Sequence, residues 1–180
     1  DIQSVLIARL DSLAQHVRDA VQTASILGRE FEVRLLAQIL TDDPELIKNV
    51  NNAEQANIWA PLNELEYFFR HALLRDAAYS MQLTSRQHAL HALAVSAMEV
   101  LYKDDLEPHY GELAYHAEHA LLDEKALHYL KLAADTSTRA YQNAQAVDYL
   151  TRALALIPQD DLHARFEIIY KRADIYYSTG

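Results

Sequence analysis

Residues 67–79 read Tyr-Phe-Phe-Arg-His-Ala-Leu-Leu-Arg-Asp-Ala-Ala-Tyr, an aromatic run that passes into a helix with a histidine at the junction. Leu65, Tyr67, Phe68 and Phe69 have strand character. From His71 onward Leu73, Leu74, Ala77, Ala78 and Met81 recur at helical spacing, with Arg75, Asp76 and Ser80 on the other face. The first amides of a helix have no intrahelical acceptor and carry partial positive charge. No Ser, Thr, Asp or Asn immediately precedes this helix to cap them. An imidazole beside free amides can receive an anion such as a phosphate. An ordinary helix start satisfied by water has the same local features. His71 is the candidate binding residue.

Other chemistries find less support. Nine histidines include the i, i+3 pairs His88/His91 and His116/His119, which can bring two imidazoles to one metal, with Glu112, Glu118 or His109 as a further ligand. The HExxH pattern that makes a helical zinc site specific is absent, so packing or surface roles are expected and no metal site is assigned. There is no GxSxG elbow, no cysteine and no carboxylate pair set apart from the acidic surface. No glycine is followed by lysine, so a GxxxxGK[ST] phosphate loop cannot occur. No catalytic residue is assigned, and the chain is expected not to be an enzyme by itself.

The elements that must position His71 are mostly helices. Only three glycines (Gly28, Gly111, Gly180) and four prolines interrupt 180 residues, which implies long helices with short connections. The periodicity predicts helices over Ile2–Arg9, from a cap at Asp11 or Ser12 to Gly28, and over Phe31–Leu40. A further helix follows Asp42-Asp43-Pro44 and ends near Ala56. The β-like material is Ile58–Leu62 and Leu65–Phe69, with Asn63-Glu64 as the turn and Pro61 marking an edge strand. Several helices followed by a two-stranded ribbon is the order of a winged helix-turn-helix domain. Ser85–Lys103 forms a long helix, and Asp104–Pro108 is the linker candidate. Helices then span Glu112–Leu121, Asp123–Tyr141, Asn143–Ile157 and Leu162–Tyr177.

That last region repeats internally. Ala146, Leu150, Ala153 and Pro158 have the gaps of the small, large, small and proline positions of tetratricopeptide (TPR) repeats, and Ala126, Leu130 and Ala133 repeat the first two gaps twenty residues earlier. Ala173, Tyr176 and Gly180 fit the first helix of a following repeat, so the chain reads as a piece of a longer protein. The expected fold is mainly α: a winged-helix-like domain with a short β-hairpin over residues 1–82, then a connecting helix and a TPR-like helical array over 83–180. Nine of the eleven tyrosines fall between Tyr102 and Tyr177. There they either line a packed core or anchor a peptide or protein partner.

Charge narrows the partners. The net charge is −10, with −6 over residues 1–105 and −4 over 106–180, and no basic face is visible for nucleic acid. The helix that would read DNA, Pro44–Ala56, has Lys48 against Glu45 and Glu54. No apolar run is long enough to span a membrane. The lack of cysteine suits a reducing cytoplasm.

With these residues in place, the chain resembles the region downstream of the ATPase core in STAND-class signal-transducing ATPases, which include bacterial regulators and NLR immune receptors. Ala8–Leu13 resembles the RLDxL start of their winged-helix domain, and Thr23–Phe31 is similar to the AAVLGxxF stretch. Phe69–Tyr79 matches FRHALxxDAAY, and Ser85–His91 resembles the helix written RRxLH. By this resemblance His71 corresponds to the histidine of the MHD motif, which contacts the β-phosphate of bound ADP. Arg70 and Ala72 stand where that motif has methionine and aspartate. For Asp76 and His91 only helix packing is implied. The resemblance implies a non-catalytic regulatory module with no cofactor of its own. It would couple the ADP/ATP state of an upstream ATPase domain in the same chain to a TPR-type array that binds a protein or peptide, with a role in signal transduction or transcription regulation. The alternative is a TPR-like adaptor that binds a partner without nucleotide sensing.

Overall fold

The computed structural model describes residues 2–41 and 43–178. The chain is mainly helical with a small three-stranded antiparallel sheet, and it divides into two compact units, residues 1–101 and 102–180. The boundary follows Leu101, so the long helix after the sheet belongs to the first unit. No helix among the described residues is long and apolar enough to cross a membrane.

The first unit runs α1 (Ile2–Asp11), α2 (Gln15–Leu27), β1 (Glu30–Glu32), α3 (Val33–Ile39), α4 (Leu46–Gln55), β2 (Trp59–Pro61), β3 (Glu66–Phe69), α5 (Ala72–Ser80) and α6 (Thr84–Leu101). Helix α2 is central, packing on α3, α4, α5 and α6 through Ala20, Val21, Ala24 and Ile26, all fully buried. The sheet order is β1-β3-β2, with Phe31 opposite Tyr67 and Trp59 opposite Phe69. Pro61 sits on an edge strand, as its missing N–H requires.

The third strand corrects the two-stranded ribbon and the helix over Phe31–Leu40 that periodicity predicts. Phe31 is extended, and its ring lies 5.0 Å from Trp59 and 5.8 Å from Phe69. Burying a phenylalanine contributes roughly 2 kcal/mol, whereas helix propensity distinguishes ordinary residues by less than about 0.7 kcal/mol, so the aromatic cluster wins. The predicted cap of α2 is also corrected. Ala14 stands at its N-cap, and the Ser12 hydroxyl donates back to the Arg9 carbonyl at 2.6 Å. Before α4, the Asp43 carboxylate accepts from the Glu45 amide and the Asn49 side chain, both at 3.0 Å; Asp42 lies outside the described residues.

The second unit opens with a 3₁₀ turn (Glu107–His109) and continues with α7 (Tyr110–His119), α8 (Asp123–Arg139), α9 (Asn143–Leu156) and α10 (Leu162–Ser178). Helix α8 packs on both α7 and α9, and α10 packs on α9. Ala126, Leu130 and Ala133 of α8 and Ala146, Leu150 and Ala153 of α9 are all buried, so small residues let successive helices approach closely. Gly180, the last position of the repeat pattern, lies outside the described residues.

The turns after α7 and α8 are alike. The Leu122 amide donates to Ala117 and the Gln142 amide to Ser137, with Leu121 and Tyr141 left-handed at φ 58° and 59°. The end of α4 repeats the motif at Asn57, φ 56°. This is the hydrogen-bonded helix terminus usually built on glycine, made here without one. The twenty-residue offset between the two alanine patterns is therefore one helix plus one such turn.

Candidate functional site

Strand β3 is the middle strand of the sheet and runs directly into α5, so the ladder on both sides fixes the junction. The Phe69 amide donates to the Arg29 carbonyl at 2.9 Å, and the Arg70 amide to Ile58 at 3.0 Å. His71 follows at the N-cap of α5 with extended backbone, φ −132° and ψ 130°. Its carbonyl accepts from Leu74 at 3.0 Å, while its exposed side chain makes no capping bond. The amides of Ala72 and Leu73 have no acceptor among the described residues.

Two arginines share this end of the sheet. Arg70 precedes His71, and Arg29 lies across the ladder from Phe69. Both are exposed and make no ion pair or side-chain hydrogen bond among the described residues. Arg29 is the residue that sequence reading does not place at this end of the sheet. Its signal was the strand at Phe31, because only β1 pairing with β3 brings Arg29 beside the junction. The nearest carboxylate along β1 is Glu30, opposite Phe68.

Several polar residues in or beside the motif segments hold the fold. Arg75 donates through Nε to the Ser25 carbonyl at 2.8 Å, pairs with Asp76 at 3.1 Å and lies over the Tyr79 ring, tying α5 to the end of α2. Arg9 donates to the Ala56 carbonyl at 2.7 Å and so covers the end of α4. Gln82 reaches Gln22, Ser25 and Ala78 with one nitrogen. His91 is fully buried, with its Nε2 3.2 Å from the Tyr79 hydroxyl. Cations at helix C-termini complement the carbonyl ends, which accounts for Arg9 and Arg75 without a ligand.

The histidine pairs are not brought together as ligand sets. His91 and His116 are buried, whereas His119 is exposed and contacts the Tyr115 carbonyl at 2.8 Å. Among the described residues no three His, Cys, Asp or Glu side chains converge as metal ligands. In α4, Lys48 pairs with Glu45 at 3.0 Å.

Free amides at a helix start beside an imidazole can attract a phosphate or other anion. An exposed helix terminus contributes about 0.3–1 kcal/mol, too little to hold an anion tightly by itself. No family model, curated protein or solved structure matches the chain.

Proposed function

We propose that the chain is the non-catalytic regulatory region of a STAND-class signal-transducing ATPase. A winged-helix domain would sense the nucleotide held by an upstream ATPase domain of the same polypeptide, and a TPR-type array would bind a protein or peptide partner in the cytoplasm. The observation that carries this reading is His71 at an uncapped helix start, beside the free amides of Ala72 and Leu73. ADP bound by the ATPase domain would present its β-phosphate to His71 and favour a closed state. Exchange for ATP would weaken that contact and release the region. A ligand shifts such an equilibrium only through its differential affinity for the two states, and a phosphate contact made only in the closed state supplies it.

The test joins the ATPase domain to residues 1–180 and compares His71→Ala with the parent. The proposal predicts that the variant loses bound ADP during purification and gains basal activity. Unchanged ADP content and unchanged activity would remove the sensor and leave the adaptor reading, in which the helical array binds its partner with no nucleotide input.

A further inference from the structure

The second unit contains a polar cleft of about 310 Å³ walled by the 3₁₀ turn and helices α7, α8 and α9. Glu107 and Glu112 lie on one wall, Ser137 and Gln142 on another, and Tyr110 and Tyr149 contribute their rings. Gly111 also lines the cleft. A Cβ on Gly111 would sit 2.4 Å from the Tyr149 hydroxyl, so a larger residue there would push the end of that side chain aside. The Arg152 guanidinium lies over the Tyr149 ring, 5.4 Å from its centroid. Arg152 is itself fixed by Glu118 and Asp148.

No lysine, arginine or histidine lines the cleft, although the His109 Nδ1 lies 3.4 Å from the Glu112 carboxylate. At its rim Arg139 lies 2.8 Å from Glu107 and 3.1 Å from the Thr136 hydroxyl, so this wall already accommodates a guanidinium. The N-terminal turn of α7 adds partial positive charge, but each exposed terminus is worth less than about 1 kcal/mol, and the charge of the Glu112 carboxylate outweighs it. Carboxylates, amide oxygens and phenol faces together suit a planar cation with several donors better than a compact ammonium.

We infer that this cleft receives the arginine side chain of a partner protein, with Glu112 as the principal acceptor and Tyr149 as the aromatic wall. The inference rests on the partner-binding part of the proposed function and names the chemistry that part would recognise. The unit carries eight basic and thirteen acidic residues, which favours a basic segment over an acidic one.

The test is ¹H–¹⁵N NMR of the full chain titrated with the peptides Gly-Gly-Arg-Gly-Gly, Gly-Gly-Lys-Gly-Gly and Gly-Gly-Glu-Gly-Gly. The Gly111 amide and the side-chain amides of Gln142 and Gln145 report on the cleft. The arginine peptide should shift them most, the lysine peptide less, and the glutamate peptide not at all. Glu112→Gln should weaken the arginine peptide about tenfold, the scale of one charge-assisted hydrogen bond. Asp160→Asn, an equal charge change in the turn before α10, should alter it less than about twofold. Equal losses in both variants would reduce the effect to general attraction by an acidic surface and overturn the inference. An equal response to the glutamate peptide, or no shift at Gly111 with any peptide, would overturn it as well. None of these results bears on ADP retention at His71, so the two proposals fail separately.

Discussion

At the scale of single residues, the motif side chains divide into those the fold consumes and those it leaves free. Arg9, Arg75 and His91 are engaged in packing or in covering helix ends, whereas Arg29, Arg70 and His71 face solvent without such a task. Tyr67 shows how the sheet tunes a neighbouring group. Burial pushes its phenol above the ordinary value, and Glu54, which accepts its hydrogen bond at 3.3 Å, pushes the same way by charge and by that bond. The protonated phenol is thus favoured in the folded state. Its stabilisation is complete below the ordinary tyrosine pKa of about 10 and is lost as pH rises through the raised value. Phenolate absorbance of the parent minus that of Tyr67→Phe isolates this group. In Glu54→Gln the isolated midpoint should fall toward the ordinary value, and an unmoved midpoint would leave burial as the sole cause.

At the scale of elements, helices with a sustained stripe were legible from the chain alone. Residues 123–139, 143–156 and 162–178 repeat apolar positions over several turns, and their boundaries lie close to those predicted. The same logic misplaced Phe31, because a three-residue strand is too short to display alternation and its pairing depends on residues far along the chain. That single error hid the placement of Arg29 beside Phe69 at the end of the middle strand. The left-handed turns at Leu121 and Tyr141 were hidden for a different reason: neither carries glycine, the usual signal. Tyr141 is 89% exposed, so its ring contributes little packing to offset a backbone conformation that costs a non-glycine residue roughly 1–2 kcal/mol. Tyr141→Gly should therefore stabilise the chain, by about 1 kcal/mol or somewhat less once the flexibility of glycine in the unfolded state is counted. Urea unfolding monitored by circular dichroism checks this. A loss of stability would mean that the exposed ring makes contacts whose value exceeds the strain.

At the scale of the whole molecule, charge and architecture bound the partners. Each compact unit carries eight basic and thirteen acidic residues, a balance that disfavours the phosphate contacts on which DNA binding depends. The small sheet and its flanking helices should show no salt-dependent retention on duplex DNA. A gel-shift titration at low salt measures it, and a shifted band that disappears as salt rises would revive a DNA-binding role. The central claim concerns His71, the residue at which the middle strand ends and a helix with free amides begins. Its most direct test is the dissociation rate of fluorescent ADP from the protein containing the ATPase domain. The account predicts loss about tenfold faster in His71→Ala than in the parent, the effect of removing one hydrogen bond to a charged phosphate. Identical rates in the two proteins would contradict it.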